Sequence, residues 1–80
     1  MHLRNEIRDR IQRIGEPYLK YATSVLALMR RAGGYSEEEK VEQLYHNLLP
    51  EYQWRIRRRD VRTTRELLVE ATECEQIFFA

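Results

Sequence analysis

Residues 17–34, PYLKYATSVLALMRRAGG, carry the longest apolar pattern of the chain. Hydrophobic side chains recur there every three or four residues, which is the spacing of one face of an α-helix. The face comprises Tyr18, Tyr21, Ala22, Val25, Leu28, Met29 and Ala32, widened by Leu19 and Leu26. Pro17 suits the first turn of a helix, and the pair of glycines at 33 and 34 suits its end. The pattern therefore predicts a central, buried helix.

The segment before this helix predicts another helix, which Gly15 would end. Its apolar side chains are spaced by four, four and three residues and are Leu3, Ile7, Ile11 and Ile14. The charged side chains are expected on the outside, Arg10 among them.

After the glycines, Ser36 and Glu39 have the spacing of a capping box, which predicts the start of a third helix. Its inward side would consist of Val41, Leu44, Tyr45, Leu48 and Leu49. Helical geometry turns the opposite side outward, and this side includes Gln43, His46 and Asn47.

Pro50 opens a short fourth helix, on which Tyr52 and Ile56 share a face while Trp54 points about 200° away. A second capping box, Thr63 with Glu66, starts the last helix. Its inward side would consist of Leu67, Ala71, Cys74 and Phe78, with Leu68 and Ile77 at the margins. The predicted fold class is all-α, a compact bundle of four to five helices in one domain over residues 1–80.

Composition limits the functions open to the chain. Eighty residues, 42% hydrophobic and 34% charged, allow one small core. Fourteen basic and thirteen acidic side chains give a net charge of +1, which excludes a global field that attracts nucleic acid or a membrane. A single cysteine allows no internal disulfide and fits a reducing compartment. No apolar run approaches the roughly 20 residues that span a bilayer. We therefore expect a cytoplasmic protein without a membrane span.

The sequence offers no convincing catalytic or metal site. The acidic residues fall on polar helix faces without a converging partner. His2 and His46 are far apart, and Cys74 occupies a core position rather than that of a nucleophile. We therefore predict no enzyme activity, no cofactor, no metal and no small-molecule substrate.

One run of charge stands out between the fourth and the last helix. It is interrupted only by Asp60 and contains Arg55, Arg57, Arg58, Arg59, Arg62 and Arg65. Arginine forks bind phosphates, so the run is a candidate RNA contact. The alternative, which we favour, is a solvated patch or one paired with an acidic block in this chain or a neighbouring copy. That block is Glu37, Glu38, Glu39 and Glu42.

Residues 12–21, QRIGEPYLKY, resemble the major homology region of retroviral capsid proteins, a motif with glutamine, then Glu-Pro, then two aromatic residues. The matching positions are Gln12, Glu16, Pro17, Tyr18 and Tyr21. The resemblance extends through residues 48–50 and 64–68 to the carboxy-terminal lobe of Ty3/gypsy-type retrotransposon Gag capsids and the domesticated Arc family. It covers nearly the whole chain, and residues 11–17 look most similar to the insect-type Arc branch.

Two positions depart from the retroviral pattern. Arg13 stands where the motif has glycine, and Ser24 stands where the following helix has arginine. We therefore carry over only Gln12 and Glu16, as polar groups that tie the first segment to the central helix. A second interpretation, compatible with the first, is that Glu16 caps the helix that starts at Pro17.

The resemblance implies a structural module that self-associates as a homodimer and contributes to virus-like capsids carrying messenger RNA between cells. RNA would bind mainly through other regions of the full-length protein, and release in extracellular vesicles would follow assembly. We expect the pairing surface to comprise Gln43, His46, Asn47 and Trp54, because in related lobes the second long helix makes a twofold contact. The alternatives are a SCAN-type dimerisation domain of a transcription factor, which residues 48–52 also resemble, and a helical RNA-binding domain using the arginine run.

Overall fold

The computed structural model describes residues 2–79, which form five α-helices and one short 3-10 helix. The helices are α1 (Leu3–Asp9), α2 (Tyr18–Ala32), α3 (Glu37–His46), α4 (Pro50–Arg55) and α5 (Thr64–Phe78), and the 3-10 helix (Arg58–Asp60) connects α4 to α5. Residues 2–79 contain no strand. The predicted all-α bundle is confirmed.

The helix α2 lies at the centre of the bundle, in contact with α1, α3 and α5. Its buried side comprises Tyr18, Tyr21, Ala22, Val25 and Met29, as the apolar spacing predicted. Ile7, Leu44 and Leu67 bring α1, α3 and α5 into the same core. Leu19 lies outside the core and is exposed.

Local sequence signals set several helix ends as predicted. Gly33 ends α2 with φ +76°, a backbone conformation that favours glycine, and its amide donates to the Met29 carbonyl at 2.8 Å. At the start of α3 the Ser36 hydroxyl accepts from the Glu39 amide at 3.1 Å, and the Glu39 carboxylate accepts from the Ser36 amide at 2.8 Å. The capping box is therefore complete.

The second predicted box is only half formed. The Thr63 hydroxyl accepts from the amide of Glu66 at 3.0 Å. The Glu66 carboxylate, however, accepts from the amide of Arg62 at 2.7 Å instead of that of Thr63. Pro17 was predicted in the first turn of α2. The helix instead begins one residue later, at Tyr18, and Pro17 is the residue immediately before its first turn.

Carboxylates from other helices cap the N-termini of α2 and α5. Glu75, in the last turns of α5, accepts from the Tyr18 amide and from the Tyr52 hydroxyl, both at 2.6 Å. Glu37, in the first turn of α3, accepts from the amide of Thr64 at 2.7 Å and from its hydroxyl at 2.9 Å. First-turn amides have no partner within their own helix, and the helix dipole favours negative charge there. These contacts fix α5 to α3 at one end and to α2 at the other.

The first helix is shorter than predicted. It ends at Asp9, and Ile11 and Ile14 are exposed, Ile14 by 91%. The side-chain nitrogen Nδ2 of Asn47 donates to the backbone carbonyls of Arg8 at 2.9 Å and Arg10 at 3.1 Å. These bonds hold the chain at Arg10 in an extended conformation, so the apolar stripe does not continue.

Two further positions differ from the prediction. Asn47 was expected on the outer side of α3, but it is only 6% exposed. The helix ends at His46, so the rotation of a helix no longer applies at Asn47. Phe78 was expected in the core and is 52% exposed, because its ring packs against the Arg55 guanidinium, 3.9 Å from the ring centroid.

Replacing Glu75 by alanine should lower the free energy of unfolding by about 1–3 kcal/mol, because the Tyr18 amide and the Tyr52 hydroxyl lose their acceptor. Glu73→Ala removes an exposed carboxylate from the same helix and is the matched control, with an expected change within about 0.5 kcal/mol. Urea unfolding followed by circular dichroism measures both. Equal effects of the two substitutions would contradict the role of Glu75.

Candidate functional site

Gln12, the first residue of the motif, is buried, with 2% of its surface exposed. Its Nε2 donates to the Glu16 carbonyl at 2.9 Å, and its Oε1 accepts from the Leu49 amide at 3.0 Å. The backbone amide of Gln12 donates to the backbone carbonyl of Asn47 at 3.0 Å. Gln12 therefore ties the motif segment to the junction between α3 and α4 rather than directly to α2.

Glu16 forms an ion pair with Arg10 through both carboxylate oxygens. Nη1 of Arg10 lies 3.1 Å from Oε1, and Nη2 contacts Oε2. The Arg13 amide also donates to Oε1 at 3.0 Å. The hydrogen bond from Arg10 is the main reason that the pKa of Glu16 lies below its ordinary value, against the opposing effect of burial. Glu16 does not cap α2, so the second interpretation of this residue is wrong.

Arg10 was expected on the outside, yet only 14% of its side chain is exposed. Besides Glu16, its Nε donates to the hydroxyl of Ser24 on α2 at 3.3 Å. The link between the motif glutamate and the central helix thus runs through a residue that the sequence pattern did not single out. Its burial depends on Glu16 and Ser24 being close in space.

The outer side of α3 forms a shallow groove that includes two of the four predicted pairing residues. Its lining is Arg8, Tyr35, Glu38, Glu39, Glu42, Gln43 and His46. Gln43 is half-buried and His46 is exposed, as predicted, whereas Asn47 faces the interior.

Trp54 is 85% exposed, and its predicted outward direction is confirmed. Tyr52 and Ile56 on the same segment are buried. The Nε2 of neighbouring Gln53 donates to the Tyr45 carbonyl at 2.8 Å and to the His46 carbonyl at 3.4 Å. These bonds anchor α4 to the last turn of α3, so Trp54 is held near the end of the groove that His46 lines.

The arginine run divides into held and free side chains. Arg58 pairs with Glu42 at 2.9 Å and donates to the Val61 carbonyl at 2.9 Å, which confirms pairing with the acidic block at this one position. Arg55 packs on the ring of Phe78. Four other guanidinium groups make no hydrogen bond or ion pair with residues 2–79, namely those of Arg57, Arg59, Arg62 and Arg65.

Two of the three carboxylates in one cleft are held in structural contacts. Glu16, Glu51 and Glu75 line one open cleft with Tyr52, but Glu16 binds Arg10 and Glu75 binds Tyr52. Burial, and then the hydrogen bond to Glu75, raise the pKa of Tyr52. Burial also raises the pKa of the Cys74 thiol.

Two searches of the described part of the chain were negative. No group of three or more His, Cys, Asp or Glu side chains in residues 2–79 is arranged to hold a metal ion. None of the helices in this range has the length and apolar character needed to cross a bilayer.

Comparisons with protein-family models, with curated proteins and with solved structures found no match to this chain. The resemblance of residues 12–21 to the capsid motif therefore stays a prediction.

Replacing Gln12 or Glu16 by alanine should each lower the free energy of unfolding by about 1–3 kcal/mol, because each change leaves buried partners unpaired. Ile14→Ala, in the same segment and almost fully exposed, is the control and should change stability by less than about 0.5 kcal/mol. Thermal and urea unfolding test the set. If Gln12→Ala and Glu16→Ala unfold like the control, the polar network does not stabilise the fold.

The Glu16–Arg10 pair should also make stability depend on pH. The folded-state pKa of Glu16 is below its ordinary value of 4.5, so the contribution is complete above that value and is lost as the pH falls through the folded pKa. The stability difference between the parent and Glu16→Gln should therefore be largest at about pH 7 and shrink toward about pH 3. Urea titrations over this range measure it, and a constant difference would contradict the assignment.

Proposed function

We propose that this chain is a homotypic self-association domain of the Gag capsid carboxy-terminal type, which pairs through the outer side of α3 together with Trp54. The observation that carries the proposal is the tryptophan, 85% exposed on a short helix that Gln53 anchors to α3. Large aromatic side chains dominate the binding energy of protein interfaces. An exposed indole on an anchored helix gains from being covered by a second copy.

The motif supports a capsid-type assembly over the SCAN-type alternative. Gln12 and Glu16 are the two residues carried over by the resemblance, and both are buried and hydrogen-bonded. In the full-length protein the pairing would contribute to a capsid that carries messenger RNA between cells, assembled in the cytoplasm and released in vesicles. RNA selection would belong mainly to other regions.

The negative charge of the groove opposes such pairing and makes it depend on the salt concentration. Glu38, Glu39 and Glu42 line it, together with the basic residues Arg8 and His46. Most homodimers have twofold symmetry, which brings the same patch of both copies together. Like carboxylates then face each other, and dissolved salt screens their repulsion. Association through this surface should therefore strengthen as the salt concentration rises.

Trp54→Ala should weaken dimerisation by about 2 kcal/mol or more, roughly 30-fold in the dissociation constant. The monomer should stay folded, because the side chain contributes little to the core. Leu19→Ala, an exposed apolar residue on α2, is the matched control and should pair like the parent. Light scattering and sedimentation across a concentration series, at low and high salt, measure the effect.

Three outcomes would overturn the proposal. They are a parent chain that stays monomeric at all accessible concentrations, a Trp54→Ala variant that associates like the parent, and an equal loss in Leu19→Ala. Association that weakens with salt would move the interface away from the acidic side of α3.

A further inference from the structure

We propose that the four free arginines, Arg57, Arg59, Arg62 and Arg65, form a second surface that binds the phosphate backbone of a nucleic acid strand. We call it the arginine surface. It goes beyond the proposed pairing function and uses none of the pairing residues. It adds a direct contact within this domain to the RNA binding expected of other regions.

The backbone that carries the arginine surface is fixed by contacts with the rest of the bundle. Ile56 and Val61 are buried and anchor the segment at two points. Between them the 3-10 helix is closed by the Asp60 amide, which donates to the Arg57 carbonyl at 3.0 Å. Arg58 fastens this turn to Glu42 of α3. The free guanidinium groups thus extend from a fixed turn and from the start of α5.

The carboxylates of the acidic block make their contacts elsewhere, and none of them pairs with the four arginines within residues 2–79. Glu37 accepts from Thr64, Glu39 from Ser36 and Glu42 from Arg58. Of the four glutamates in the block, only Glu38 makes no hydrogen bond or ion pair with residues 2–79. These contacts hold three of the carboxylates at helix ends and on Arg58, and leave the four arginines without a carboxylate partner within residues 2–79. The arginine surface therefore favours a polyanion from outside the protein.

The chemistry of the segment favours a nucleic acid over a lipid surface. A peripheral membrane segment binds most firmly where exposed apolar side chains of the same segment enter the bilayer. The apolar residue between Arg57 and Arg65 is Val61, and it is fully buried. Guanidinium forks bind phosphate oxygens bidentately, and repeated phosphates along a strand match several arginines at once. Such contacts carry no sequence information, so we expect binding without sequence preference.

The test is fluorescence anisotropy of a labelled single-stranded RNA of about 20 nucleotides, at nanomolar RNA and increasing protein. Neutralising four phosphates predicts a slope of about −2.8 in log affinity against log salt, or roughly 50-fold weaker binding at about 200 mM than at about 50 mM salt. Arg57→Gln with Arg59→Gln should reduce the slope by about 1.4. The matched control, Arg30→Gln with Arg31→Gln, removes the same charge from exposed positions at the end of α2.

Several results would overturn the proposal. Undetectable binding at the lower salt, or equal losses in the two double variants, would exclude a specific arginine surface. Binding to phosphatidylserine vesicles but not to RNA would assign it to lipid. Weakened self-association of Arg57→Gln with Arg59→Gln, without any RNA binding, would assign it to a second copy. Trp54→Ala should still bind RNA through its arginines while losing self-association, so failure of pairing and failure of RNA binding are separately visible.

Discussion

The carboxylate of Glu75 on the amide of Tyr18 joins positions 57 residues apart and is the contact on which the bundle most depends. The helix α2 begins after Pro17 without a capping side chain of its own. Its first amide is satisfied only because α5 runs back across the bundle. The same oxygen accepts from Tyr52 and thereby fixes α4. One partly buried acceptor thus contacts two other helices from α5, and Glu37 makes a similar contact at the start of α5.

The sequence predicted the parts of the fold that depend on near neighbours. The apolar side of α2, the glycine that ends it and the capping box of Ser36 with Glu39 all involve residues within a few positions of one another. Prediction failed where a distant polar group decides the backbone. The spacing of Ile11 and Ile14 fits a helix. The carbonyls of Arg8 and Arg10 at the end of α1, however, accept from the side chain of Asn47, which lies 39 and 37 residues further along the chain. Periodicity contains no information about such a partner.

The same division applies to the candidate surfaces. The direction of Trp54 followed from Pro50, which sets the start of α4 and hence the rotation of every later residue. The predicted outward direction of Asn47 was wrong, because α3 ends one residue before it. The sequence could not predict which arginines lack an ion-pair partner, because Arg58 contacts Glu42 only through the packing of the 3-10 helix on α3. Charge runs predict a patch, and the fold decides how much of it remains unpaired.

The two proposed surfaces should respond to salt in opposite directions, yet both lie on a segment that the same contact holds. Trp54 and Arg57 lie three residues apart, and the Arg58–Glu42 pair fastens their segment to α3. Four arginines on one copy give only modest affinity for a strand. Pairing would double the surface at a fixed spacing, and a second contact to the same strand then forms at high effective concentration. By linkage, a strand that bridges two copies must favour their association by the same factor. Nucleic acid would thus offset, at low salt, the repulsion between the carboxylates of the paired α3 helices.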